Sequence, residues 1–115
     1  MSIAGGMPLA VLRARSVGAT ALQVFVKSSN QWAARPFAAG EVEAFRLATR
    51  EAGLEGLTLA HASYLINLAS PDDTLWRKSW TALRVEVERC SALGIRWLVV
   101  HPGSHMGSGD RKSVV

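Results

Sequence analysis

Two short apolar runs each end on a histidine: Leu57-Thr58-Leu59-Ala60-His61 and Trp97-Leu98-Val99-Val100-His101. One long helical pattern lies between them, the spacing of a strand–helix–strand unit. If both runs are parallel strands of one sheet, both imidazoles stand at strand C-terminal ends. That edge is where α/β sheets and barrels build their sites. Imidazole is also the commonest metal ligand among side chains. His61 and His101 therefore predict a metal site. The plain alternative is a polar residue at each strand end, hydrogen-bonded to its loop. Two histidines at equivalent positions on successive strands weigh against that alternative, yet zinc takes more protein donors than two. No carboxylate is obviously placed to join them. Asp72 and Asp73 read as helix-start residues, and Glu86 and Glu88 as solvated positions on a helix. The pattern identifies no catalytic acid, base or nucleophile.

Other residues near these positions can do polar or stacking work. In Asn30-Gln31-Trp32, Gln31 can bond base edges or backbone and Trp32 can wedge or stack. Trp32 serves equally well as an anchor for its own loop. Tyr64, just after His61, can stack on a sugar or base. Its neighbours Leu65, Ile66 and Leu68 can form a small core under the loop, with Asn67 satisfying local backbone. His105 follows His101 by four residues, but Pro102 and Gly103 exclude a helical pair. It is a candidate donor behind the metal ligands, a phosphate contact, or a solvated loop residue.

Alternating helices and strands must position these residues. A helix is expected over residues 7–17 with apolar Leu9, Leu12 and Val17, closed by Gly18. A strand follows at 22–26, then a loop at 27–37 broken by Ser28, Ser29, Asn30 and Pro36. Residues 41–52 predict a helix with Val42, Phe45, Ala48 and Ala52 on one face and Gly53 as its stop. Strands are expected at 57–60 and 95–100. Between these two strands, Asp72 and Asp73 open a helix. Trp76, Trp80, Leu83, Val87 and Cys90 mark its apolar stripe, and Gly94 ends it. The order α-β-α-β-α-β argues for a parallel sheet with right-handed crossovers. A closed (β/α)8 barrel needs ~250 residues, so the expectation is a small open α/β domain or part of a barrel. A tail without helical periodicity after His105 favours the partial barrel.

The composition suits one globular unit: 115 residues, 49% hydrophobic and 19% charged. A net charge of +4 is too small to identify an anionic partner. Cys90 is the only cysteine, which excludes an internal disulfide and suits a reducing compartment. Its helical setting suggests a buried thiol rather than a nucleophile. No signal-type start and no apolar run near ~20 residues is present, so the expected location is the cytoplasm, without membrane contact.

Four segments together resemble the endonuclease IV family of zinc-dependent apurinic/apyrimidinic endonucleases. They are Ser2-Ile3-Ala4-Gly5-Gly6, Asn30-Gln31-Trp32, His61-Ala62-Ser63-Tyr64-Leu65-Ile66-Asn67-Leu68 and His101-Pro102-Gly103-Ser104-His105. The last two patterns are specific, and their order and spacing match as well. The resemblance implies a (β/α)8 barrel, a TIM barrel, whose C-terminal mouth holds a cluster of three zinc ions. It also implies DNA repair chemistry, the base-excision type: hydrolysis of the phosphodiester 5′ to an abasic site in duplex DNA. By resemblance His61 and His101 match zinc ligands, while Asn30, Gln31, Trp32 and Tyr64 fall in loops that enter the minor groove. Zinc would acidify an attacking water and stabilise the leaving oxygen. Wedging side chains would replace lost stacking.

The departures set further expectations. The family's first strand, glycine-alanine-histidine-valine, precedes the Ser2 segment and is missing here. Asn30 stands where many relatives carry arginine. The remaining ligands belong to later strands, so residues 1–107 are expected to form the N-terminal part of the barrel, without its C-terminal half. Residues 108–115 are expected to be a disordered tail, with 111–115 matching no family pattern. Two other functions fit parts of the pattern: a metal-dependent sugar isomerase or epimerase of the xylose isomerase-like type, which shares the barrel and its metal mouth, and an inactive fragment that binds DNA weakly. The Asn30–Trp32 and Tyr64–Leu68 loops favour the nuclease.

Overall fold

A computed structural model describes residues 1–104. Helices α1 (Met7–Ser16), α2 (Glu41–Glu51) and α3 (Asp73–Leu93) alternate with strands β1 (Leu22–Val24), β2 (Thr58–His61) and β3 (Trp97–Val99). The strands form one sheet in the order β1-β2-β3, and both pairings are parallel. This is the partial barrel expected from the alternation.

Register assigns the side chains to faces. Val24, Ala60 and Leu98 lie side by side across the sheet. They point into the core with Leu22, Val26, Phe45, Leu54, Cys90, Leu93 and Ile95. Full burial of Phe45 contributes about 1.5–3 kcal/mol. Gln23, Leu59 and Trp97 lie side by side on the opposite face, and His61 is paired with Val99 one pleat further along. Helices cover the first face. The second leaves Trp97 59% and Val99 39% exposed. His61 therefore belongs to the open, concave side.

Local chemistry accounts for the helix ends. Asp72 caps α3, its Oδ1 accepting from the backbone N–H of Thr74 at 2.8 Å and of Leu75 at 3.3 Å. Gly94, with φ of 75°, closes it in the left-handed conformation that favours glycine. Helix α1 lacks a side-chain cap of its own. Glu41 serves instead: its Oε2 accepts from Met7 N–H at 2.8 Å and its Oε1 from Ala38 N–H at 2.9 Å. One carboxylate thus joins the starts of α1 and α2. No helix among the described residues is long and apolar enough to cross a membrane.

Two helix faces differ from expectation. In α1 the buried residues are Met7, Ala10, Val11 and Ala14, while Leu9, Leu12 and Val17 are exposed. The i, i+3, i+4, i+7 series of the former is the better helical stripe, and its alanines permit close packing. In α3 the buried residues are Ser79, Glu86, Cys90 and Leu93, whereas Trp80 and Val87 are more than two-fifths exposed. The face is rotated by one position relative to the apolar stripe. Ser79 and Glu86, both wholly buried, face inward because they receive backbone N–H groups from the loop after β2. Glu86 is thus not the solvated residue that its helical position suggested.

Candidate metal centre and nucleic-acid interface

His61 ends β2 with its ring half-buried, and its Nδ1 lies 2.7 Å from the Ala62 carbonyl oxygen. A carbonyl only accepts, so Nδ1 carries the hydrogen, and in the neutral ring Nε2 keeps its lone pair. Metal-binding histidines are commonly oriented in this way, through the second ring nitrogen. The exposed His101 ring lies 5.1 Å from that of His61, centre to centre. Zinc–nitrogen bonds of about 2.0–2.1 Å in tetrahedral geometry place two imidazole centres about 5 Å apart. The pair therefore suits a shared ion. No group of three His, Cys, Asp or Glu residues capable of holding a metal occurs among the described residues.

Aromatic rings surround the pair. Phe25 meets His61 edge-on at 5.5 Å and Tyr64 at 5.3 Å, and Tyr64 lies 5.8 Å from His61. Tyr64 remains 72% exposed at the rim, available to a planar ligand. Asn30 and Gln31 are exposed on the neighbouring loop. Trp32, on the same loop, is half-buried, and Lys78 of α3 places its Nζ 4.6 Å from the ring centre. The ring contacts around His61 among the described residues do not include it. His105 lies outside the described residues, as do residues 108–115.

Two loops frame the mouth, and each has its own internal support. In the loop after β2, Ile66 is buried and Asn67 does most of the polar work. Its N–H donates to Ser79 Oγ at 2.9 Å. Its side-chain amide exchanges two bonds with Ser104, each 3.0 Å. Ala69 N–H donates to the Pro102 carbonyl at 3.0 Å. The Pro102-Gly103-Ser104 turn is thereby strapped to the loop after β2, which holds His101 beside His61. Gly103 is required there. Its φ is 100°, and a Cβ would collide with Asn67 Oδ1 and stand 2.9 Å from Asn67 Cα.

The loop after β1 rests on buried charge. Lys27, only 4% exposed, donates from Nζ to the Ser28 carbonyl at 2.7 Å and to the Gln31 carbonyl. Arg89 of α3 donates from Nε to the Val26 carbonyl at 2.5 Å and from Nη1 to the Arg35 carbonyl at 2.9 Å. Its guanidinium also lies over Phe37, 3.7 Å from the ring centre. Burial pushes the Glu86 carboxyl above its usual range. The Ser63 N–H bond and the charges of Lys27, His61 and Arg89 oppose that rise. Burial likewise lowers Lys27, against Glu86's attraction. The Cys90 thiol is pushed up to about 11 by burial and then by Glu86, so it is no ready nucleophile. Beside this loop, Lys27, Arg35 and Arg89 line a cleft of about 850 Å³ whose far wall is the Ile3–Met7 segment.

Sequence reasoning missed Glu86, Lys27 and Arg89. A signal existed: charged residues at 86 and 89 sit within the helical repeat that also contains Cys90 and Leu93.

Residues 11–114 match the family described as xylose isomerase-like TIM barrel, and the chain belongs to that family. Within it, the resemblance to endonuclease IV holds across the sequence. The chain is 44% identical over 115 residues to a protein of Chloroflexus aggregans named "Probable endonuclease 4". It is 45% identical over 114 residues to a protein of the same name from Geobacter sulfurreducens. It covers 100% and 99% of itself in these matches, but 40% and 38% of the relatives. The crystal structure of endonuclease IV from Thermus thermophilus superposes with a TM-score of 0.83 at 44% identity. That match covers 90% of this chain and 39% of the other. The chain thus spans about two-fifths of the length of the relatives it matches.

Proposed function

We propose that this chain forms part of the mouth of a zinc-dependent DNA repair endonuclease that hydrolyses the phosphodiester 5′ to an abasic site. The observation that carries the reading is the His61–His101 pair, 5.1 Å apart at the C-terminal ends of adjacent parallel strands. His61 and His101 would hold zinc, with His61 oriented through Ala62. Zinc, when bound, supplies Lewis acidity toward water and phosphate. The chain's own residues also contribute to recognition. Tyr64 presents a ring at the rim, Asn30 and Gln31 present amides beside it, and Trp32 stiffens their loop against Lys78. His105 is a further phosphate contact or a donor behind the ligands. Arg35, exposed along the neighbouring cleft, suits a phosphate backbone. The names of the relatives support DNA as the substrate in preference to a sugar.

Two imidazoles are fewer donors than a zinc cluster needs. The expected behaviour of the 115-residue chain alone is therefore zinc binding that depends on both histidines, without incision. Calorimetric zinc titration of the wild type, His61→Ala and His101→Ala tests the first part. Affinity that is the same in all three proteins would remove the metal assignment. Incubation with zinc and an abasic duplex tests the second part. Chelator-sensitive cutting 5′ to the lesion, lost in His61→Ala, would show that the chain completes its site by itself.

A further inference from the structure

The two loops at the mouth come from different strands, and the structure joins them through one helix. Glu86 of α3, wholly buried, accepts the Ser63 N–H with both carboxylate oxygens, each at 3.1 Å. Ser63 Oγ in turn donates to the Ser29 carbonyl at 2.7 Å, reaching the loop that carries Asn30–Trp32. One turn further along α3, Arg89 holds Val26 and Arg35 in that same loop. Lys27, buried in that loop, is attracted electrostatically by Glu86. An apolar residue at 86 would fill the helix face equally well and would avoid burying a carboxylate. Burying charge is costly unless it is paired and hydrogen-bonded. Its presence therefore needs a reason other than packing.

We propose that Glu86 is a positioning residue that fixes the loops after β1 and β2 relative to each other, and through them the spacing of Asn30–Trp32 from His61 and Tyr64. The proposal rests on the reading of this mouth as a metal and DNA site, and it concerns geometry that can be measured without either ligand. Ser63 lies two residues beyond His61 and next to Tyr64, so loss of its N–H acceptor frees both. Glu86 also attracts Lys27 and, after Glu41, Arg89 electrostatically, so loss of its charge weakens the hold of α3 on residues 28–37.

Spin labels at Ala33→Cys and Tyr64→Cys, in a Cys90→Ala background, report the distance between the loops by pulsed electron resonance. E86Q keeps the size of the side chain but removes the charge and replaces one of the two oxygens that accept the Ser63 N–H with an NH2 that cannot accept it. Its distance distribution is expected to broaden by about 1 Å, the scale at which a poorly supported site fails. Ser63→Ala, which cuts the Ser29 tie and the Leu65 N–H bond to Ser63 Oγ but keeps the Glu86 bond, should broaden it less. Phe45→Leu, a core change away from the mouth, should leave it as in the wild type. Without labels, E86Q is expected to weaken zinc binding by about tenfold, as for other groups behind metal ligands. Unchanged distributions in both E86Q and Ser63→Ala would overturn the proposal. So would loss of folding in E86Q under conditions where Phe45→Leu stays folded, because Glu86 would then be a core residue. If wild-type zinc binding proves independent of His61, the metal reading fails, and the distance measurement still decides the role of Glu86.

Discussion

At the scale of single residues, the mouth is held by polar side chains that helical periodicity would assign to solvent or to loops. Asn67, Ser63 and Glu86 each accept or donate across chain segments far apart in sequence. Glu86 carries a testable pH signature. Its carboxyl is raised from an ordinary value of 4.5, so the folded state favours the protonated form. A raised folded value means that its contribution to stability is fully present below the unfolded value. That contribution is then lost as pH rises through the folded one. The other titrating groups are common to the wild type and E86Q. The stability of the wild type minus that of E86Q should therefore fall as pH is raised from about 4.5. Chemical denaturation of both proteins across that range measures it. A difference that grows with pH would contradict the assigned direction.

At the scale of elements, α3 is the part that organises the site. It spans 21 residues and supplies Ser79 and Glu86 to the loop after β2, and Arg89 and Lys78 to the loop after β1. Its N-terminus is fixed by Asp72, whose carboxylate accepts two backbone N–H groups. Asp72→Ala should cost about 1 kcal/mol, read as a lower midpoint in urea without a change in slope. Because the cap lies at the end nearest Asn67 and Ser79, the first amides to lose exchange protection should be those of residues 67–75. A stability unchanged within error would show that the cap is redundant.

At the scale of the molecule, one sheet face is packed and the other is open. Trp97 and Val99 on the open face, and Trp80 on the outer side of α3, are large apolar residues exposed to solvent. β3 pairs on one side only, with β2. Edges and apolar faces of this kind associate. The 115-residue chain by itself should self-associate at micromolar concentration, and Trp97→Glu should shift it toward the monomer. Sedimentation velocity distinguishes the two, and a wild-type chain that sediments as a monomer at every concentration would refute the expectation.

The elements and their order were legible in the sequence, because periodicity, Asp72 and the glycines at 53 and 94 act locally. All three expected strands overlap those observed. The placement of His61 and His101 at strand ends was legible for the same reason. The rotation of α3 was not. Trp80 and Val87 make the better apolar stripe, and only the backbone N–H groups of Ser63 and Asn67, brought over from another segment, explain why Glu86 and Ser79 face inward. The same holds for Trp32, whose partner Lys78 lies 46 positions along the chain. Local propensity is written within a few residues. Satisfaction of a buried donor, pairing of a buried charge and the distance between two imidazoles depend on chain segments that meet only when the sheet forms.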